Sequence, residues 1–239
     1  MKITIPTAGF EKEDQVENIE ILAHDLRGPI HSISGLVELL KLELKDCANE
    51  NIIHCLNLID QNCKHSHELL SKVLDVVRLG DKPGKLIKEN ENLVDIIHRL
   101  LELQQISASS RGVHLSFTYG NELVMGKVDK TYLIHAIENL LTNAIKFTEK
   151  EGEVSVLLYE SDENIYIKVM DNGIGICEDD LPFIFDKFTK IRRNGLRGEE
   201  STGLGMSITQ QIIEAHGGEI SVKSKVNEGT TFSIILPKN

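Results

Sequence analysis

The chain has 239 residues, of which 41% are hydrophobic, 26% charged and 5% aromatic, with a formal net charge of −11 at pH 7. That length and apolar content suffice for one large domain or two modest ones. The acidic balance argues against a general nucleic-acid or anionic-membrane binder, since both need basic surfaces, and the absence of Trp argues against stacking platforms for single strands.

Residues from about Glu11 to Asp46 read as an amphipathic helix that Pro29 should kink. At about 100° per residue, Ile19, Leu22, Leu26, Ile30, Ile33, Val37, Leu40 and Leu44 fall within one arc. His24 lies on the other side of the helix, which offers it to solvent. A polar turn near Asp46 to Asn49 leads to a second helix from about Glu50 to Leu79, with a stripe of Ile52, Leu56, Ile59, Cys63, Leu70, Leu74 and Val77. Two long helices joined by a short turn predict an antiparallel hairpin. Such a hairpin has little beyond its own stripes to pack against. It is expected to pair with a second copy into a four-helix bundle, the alternative being packing on the chain's own C-terminal half.

Gly80-Asp81-Lys82-Pro83-Gly84 reads as a linker, because its turn formers and proline stop the second helix. The expected division is therefore 1–80, a linker at 81–84, and a second domain at 85–239. Beyond the linker the pattern predicts a short strand near Leu86 to Lys88 and a helix from about Asn92 to Arg111 stopped by Gly112. A strand at His114 to Tyr119 and a helix capped by Asp129 and running to about Phe147 come next. Glu153 to Tyr159 and Asn164 to Met170 form an expected hairpin across Ser161-Asp162. A last helix from about Gly203 to His216 precedes strands at Glu219 to Ser224 and Thr231 to Leu236. Strands and helices mixed without strict alternation argue an α+β domain with helices layered on one mixed sheet.

Three segments of this second domain carry chemistry. Asn139 and Asn143 stand four residues apart on one helix face, with Lys146 a further three on. An amide oxygen can ligate Mg²⁺ and a lysine ammonium can neutralise phosphate. Asp171-Asn172-Gly173-Ile174-Gly175 follows a strand, where a carboxylate can accept from an adenine amino group and glycines let the backbone approach the base. Thr202-Gly203-Leu204-Gly205-Met206 opens a helix whose free N–H groups suit phosphates. Gly229-Thr230-Thr231-Phe232 adds a late turn entering a strand. Between the two glycine segments, Lys190, Arg192, Arg193 and Arg197 make a basic stretch in an acidic chain, which reads as a lid over a triphosphate at about Thr189 to Thr202.

No run of 18 apolar residues and no signal-peptide pattern occurs, so a soluble chain without a direct membrane segment is expected. Cys47, Cys55, Cys63 and Cys177 show no C-x-x-C pairing, which predicts reduced thiols in a cytoplasmic protein.

Over nearly all of its length the chain resembles the catalytic core of two-component sensor histidine kinases. His24-Asp25-Leu26-Arg27-Gly28-Pro29 is similar to the H box, Asn139 to Phe147 to the N box, and Asp171 to Gly175 to the first glycine box. Phe183-Ile184-Phe185-Asp186-Lys187-Phe188 resembles the F box, and Thr202 to Met206 the second glycine box. The resemblance implies a dimerisation and phosphoacceptor hairpin followed by an ATP-binding α/β sandwich of the gyrase and histidine-kinase superfamily. It implies that His24 accepts the γ-phosphate of ATP while Asp25 fixes the imidazole tautomer. It also implies that Asn143, helped by Asn139, ligates Mg²⁺. By the same resemblance Lys146 contacts phosphate, Asp171 the adenine, and the backbone at Gly203 and Gly205 the phosphates. The partner it implies is a response-regulator receiver domain carrying an acceptor aspartate.

The chain departs from the pattern at Gly28, where many members carry Thr or Asn that positions a water for dephosphorylating the partner. Glycine has neither hydroxyl nor amide, so weak phosphatase activity is expected. His31 lies on the same outer face as His24 but is followed by Ser32 rather than an acid. An inactive adaptor that works by binding alone is the reading from a different class.

Overall fold

The computed structural model describes residues 26, 28–42, 44, 51–60, 62, 63, 66, 70, 86–186, 195, 196 and 203–238. His24, Asp25, Thr202 and most of the expected lid lie outside the described residues, as does the turn near Asp46 to Asn49. The chain divides into two units, Met1–Gly80 and Asp81–Asn239.

In the first unit, residues 28–42 (α1) and 51–60 (α2) are helical. Val37, Leu56 and Cys63, all on the expected stripes, are buried. Lys41 Nζ meets Asp60 Oδ2 at 3.0 Å, an ion pair between the two helices. Of the other described stripe residues, Ile30, Leu44 and Leu70 are half-buried. Leu26, Ile33, Leu40, Ile52 and Ile59 are all exposed.

The second unit runs β1 (Glu89–Asn92), α3 (Leu93–Arg111), β2 (His114–Tyr119), β3 (Met125–Val128), α4 (Lys130–Phe147), β4 (Glu153–Glu160) and β5 (Asn164–Asp171). A 3₁₀ turn at Glu178–Phe183, α5 (Gly205–Ala215), β6 (Glu219–Lys225) and β7 (Gly229–Pro237) complete it. Local caps set the helix ends, Gly112 and Asp129 where expected and Asn92 as a cap just ahead of α3. The Asn92 side chain accepts from Val94 N–H, and Gly112 takes φ 70°, the left-handed conformation that closes α3. Asp129 accepts from Tyr132 N–H at the start of α4. Leu133, Ala136, Ile137, Leu140, Leu141, Ala144 and Ile145 then recur at three- and four-residue spacing and are buried.

The main sheet has the order β2-β4-β5-β7-β6, parallel between β2 and β4 and antiparallel elsewhere. Alternation decides its faces. Val154, Val156 and Leu158 on β4, Ile165, Ile167 and Val169 on β5, and Phe232, Ile234 and Leu236 on β7 are buried. Asp171 is the next residue in the β5 alternation and pairs with Thr230 across the strands. The register therefore puts a carboxylate at the margin of the apolar core.

Two expectations need correction. The strand expected near Leu86 to Lys88 lies at Glu89–Asn92, and it pairs antiparallel with β3, a strand the apolar pattern did not reveal. This second, two-stranded sheet is separate from the main one. Ile87 is exposed, and backbone pairing rather than side-chain burial selects β1. The last helix begins at Gly205 rather than Gly203, because Gly203 adopts φ 69°, outside the helical region.

Candidate functional site

Four pieces of the second unit converge: the C-terminal half of α4, the loop after β5, the start of α5 and the start of β7. The loop after β5 is fastened to α4 by Ile174 N–H, which donates to the Phe147 carbonyl at 3.1 Å. A Cβ on Gly173 would lie 2.2 Å from that same carbonyl oxygen, so only glycine lets the loop approach α4 this closely. Gly175 takes φ 67°, and a Cβ there would strike the Lys225 carbonyl oxygen at 2.0 Å.

Asp171 organises the far wall. Its Oδ1 accepts from Gly173 N–H at 2.9 Å and from Thr230 N–H at 3.2 Å. Oδ2 makes no hydrogen bond to the described residues. Burial pushes the carboxyl above its usual range, and the two backbone donors pull it back only in part. Ser224, which the sequence did not single out, backs this wall. Its Oγ donates to the Gly229 carbonyl, lies 2.8 Å from Thr230 Oγ1 and accepts from Ile176 N–H. It lies at the end of an edge strand with no motif around it, so only the fold brings it here.

On the near wall, Asn139 Nδ2 donates to Thr209 Oγ1 on α5 at 2.8 Å. The Asn139 amide lies against Gly205, where a Cβ would come within 2.5 Å of Oδ1. Asn139 Oδ1 and the whole Asn143 side chain make no hydrogen bond to the described residues, and both residues are half-buried. Lys146 Nζ sits 5.4 Å from the Phe147 ring centroid, and the Lys146 carbonyl accepts from Leu196 N–H. Leu204 is buried as the residue preceding α5, with Gly203 left-handed before it and Met206 half-buried after it.

The structure thus brings Asn139 beside Gly205, and Asp171 beside Gly173 and Thr230. It places Asn143 and Lys146 on the same helix as Asn139. Among the described residues no group of three or more His, Cys, Asp or Glu could hold a metal ion. The donors on offer for a hard cation are instead two amide oxygens on one helix, at a spacing of four residues. Such a set fits a cation that takes its remaining ligands from phosphates and water.

Comparison with known proteins decides the family. Residues 15–82 match the His Kinase A (phospho-acceptor) domain, and residues 128–239 match the histidine kinase-, DNA gyrase B- and HSP90-like ATPase family. The chain belongs to the histidine kinases. The sensor protein SrrB of Staphylococcus aureus is 30% identical over 227 residues, covering 95% of this chain and 38% of that relative. The chain thus spans well under half the length of this curated relative. The catalytic domain of the histidine kinase ThkA superposes with a TM-score of 0.57 at 27% identity, over 63% of this chain and 97% of that one. Full-length ShkA in complex with AMPPNP superposes with a TM-score of 0.78 at 24% identity, over 92% of this chain and 45% of that one, and shows the shared fold. No helix among the described residues of this histidine kinase is long and apolar enough to cross a membrane.

Proposed function

We propose that this histidine kinase binds ATP in its second unit, transfers the γ-phosphate to His24, and passes it to an aspartate of a response-regulator receiver domain. The observation that carries the reading is the paired geometry of the nucleotide walls. A buried-edge carboxylate, Asp171, is held by two backbone donors, and among the described residues its Oδ2 and the amide oxygens of Asn139 and Asn143 on α4 have no hydrogen-bond partner. Asp171 accepts from the adenine amino group, and the glycines of its loop admit the base. Lys146 neutralises phosphate, and the backbone N–H groups at Thr202 to Met206 bind the phosphates. Mg²⁺, when bound by Asn143 and Asn139, supplies further charge neutralisation on the phosphates.

In the transfer step the imidazole nitrogen of His24 forms a bond to the γ-phosphorus. The bond from that phosphorus to the bridging oxygen breaks, and ADP leaves with the electron pair. Asp25 hydrogen-bonds the other ring nitrogen, keeps the attacking nitrogen unprotonated and stabilises the positive ring as the N–P bond forms. The superfamily position four residues before the metal asparagine holds Asn139 rather than a water-activating Glu, which favours transfer to histidine over hydrolysis.

Two partners follow. The exposed apolar stripes of α1 and α2 support a homodimer that buries them in a four-helix bundle. A receiver domain is supported by the ThkA neighbour in complex with the response regulator TrrA, which matches all of this chain with a TM-score of 0.64 at 19% identity. We place this machinery in the cytoplasm, without a role in nucleic-acid binding. Gly28 has no atom within 4 Å of a built Cβ, so neither space nor backbone demands glycine there. Its missing hydroxyl or amide leaves this kinase weak as a phosphatase.

The test is incubation with labelled ATP and Mg²⁺, comparing His24→Ala with His31→Ala. Acid-labile, base-stable label that is lost only in His24→Ala supports the reading. Label that persists in His24→Ala overturns it.

A further inference from the structure

We propose that Thr209 is a positioning residue of the nucleotide site: its hydroxyl fixes the orientation of the Asn139 amide, so that the amide oxygen and not the nitrogen is left for the cation. The inference rests on the kinase reading for its ligand and on the hydrogen-bond geometry for its mechanism.

A threonine hydroxyl carries one hydrogen. In α5 the Thr209 Oγ1 donates that hydrogen to the Gly205 carbonyl, one turn back, at 3.0 Å. Oγ1 therefore meets Asn139 with its lone pairs. Nδ2 of Asn139 lies 2.8 Å away and donates to them. Against the flipped amide Oγ1 would meet Oδ1, and the hydroxyl would have to give up the Gly205 carbonyl to donate to it. Thr209 is 1% exposed, so no bulk water can replace its hydroxyl. The terminal torsion of asparagine is otherwise soft. The Thr209 hydroxyl, held on the Gly205 carbonyl, selects the orientation in which Nδ2 faces it.

The opposite side of the amide packs directly on backbone. It lies on Gly205, where a Cβ would sit 2.5 Å from Oδ1 and 2.8 Å from Nδ2. Thr209 and Gly205 belong to one turn of α5, so the helix that opens at the phosphate-binding glycines also orients the α4 amide. A donor nitrogen facing a cation repels it, whereas a carbonyl oxygen coordinates it. The orientation chosen by Thr209 is thus the one that chemistry at Asn139 requires.

The experiment uses the full chain and two variants. Thr209→Val keeps shape and removes the hydroxyl, while Thr209→Ser keeps the hydroxyl. One readout is the Asn139 side-chain amide in ¹⁵N-HSQC spectra of nucleotide-free protein, assigned with Asn139→Ala. The other is calorimetric affinity for AMPPNP with and without Mg²⁺. In Thr209→Val the Asn139 amide signals should lose their hydrogen-bonded shift, and the Mg²⁺-dependent gain in affinity should drop about five- to tenfold, with Mg²⁺-free affinity within about twofold of wild type. Thr209→Ser should restore both. Unchanged Asn139 signals in Thr209→Val overturn the proposal whatever the nucleotide does, as does an equal loss of affinity with and without Mg²⁺ that serine does not rescue. Wild-type protein that binds no AMPPNP overturns the kinase reading and the cation-facing half of the proposal together.

Discussion

The backbone N–H of Asp129 donates to Nε2 of His216 at 2.9 Å, joining the start of α4 to the end of α5. The same imidazole has Nδ1 at 2.7 Å from the Ile212 carbonyl, so Nδ1 carries the ring hydrogen and Nε2 must be an acceptor. Only the neutral ring satisfies both contacts. The Asp129 carboxylate in turn caps α4 through Tyr132 N–H and accepts from Ile87 N–H ahead of β1. One residue pair thus secures both helices that carry the proposed nucleotide walls.

That arrangement makes stability depend on pH. Burial holds the His216 imidazole below its ordinary 6.5; the Ile212 carbonyl opposes this, Lys88 adds to it, and Asp129 opposes it. Below about pH 6.5 the unfolded chain takes up a proton that the folded chain refuses, so stability is complete above that pH and is lost as pH falls toward the folded value. Thermal melts between pH 8 and 5 should show Tm falling below about pH 6.5. His216→Gln keeps an acceptor without the titration, and its melting curve should slope less over the same range. Identical slopes would sink the account.

On the proposed reading, Asp171 trades stability for nucleotide binding. Its carboxyl is raised by burial, so its contribution to stability is fully present below the unfolded value and is lost as pH rises through the folded one. At neutral pH the charge is a net cost to the nucleotide-free fold. Asp171→Asn keeps an oxygen for Gly173 N–H and Thr230 N–H while removing that charge. We expect Tm at pH 7 to hold or rise, and affinity for AMPPNP to fall about ten- to a hundredfold, since an adenine amino group loses a charged acceptor. A lowered Tm with retained affinity would contradict both halves.

How far the sequence revealed the fold depends on what each element relies on. Asn92, Gly112 and Asp129 mark helix ends by local chemistry and were legible, as were strands whose buried residues alternate, such as Val154, Val156 and Leu158. β1 reads Glu-Asn-Glu-Asn and is held by its register with β3, so no local pattern announces it. The same holds at the site. Asp171 and the glycines stand in short spacings that a reader can see, whereas Thr209 acts on a residue 70 positions away and Ser224 on one across a strand pair. Neither relation exists until the chain is folded.

Gly28→Thr tests the reading of the H-box departure. Nothing lies within 4 Å of the Cβ position, so the variant should fold, with α1 gaining a few tenths of a kcal/mol because glycine is the poorer helix former. A receiver domain phosphorylated by this kinase should then lose its phosphate faster in the presence of Gly28→Thr and ADP than of wild type. Rapid dephosphorylation by the wild type would show that the missing hydroxyl is not what limits the reaction.

A Cβ at Gly205 or at Gly229 would meet a neighbour at close range, but the obstacles differ in kind. At Gly229 the backbone takes φ 102° and a Cβ would fall 1.9 Å from the Asp171 carbonyl oxygen, so alanine forces two strands apart. Gly229→Ala should lower stability by about 2–4 kcal/mol, read as a fall in Tm. At Gly205 the obstacle is the Asn139 side chain, which can swing away, and alanine is the better residue within a helix. Gly205→Ala should therefore hold its Tm near wild type while losing affinity for AMPPNP by about tenfold, the worth of one displaced polar contact. Gly205→Ala that binds like wild type would mean the Asn139 amide has no part in holding the nucleotide. A collapse of its Tm would mean that Asn139 cannot move, and that the glycine serves packing before it serves the site.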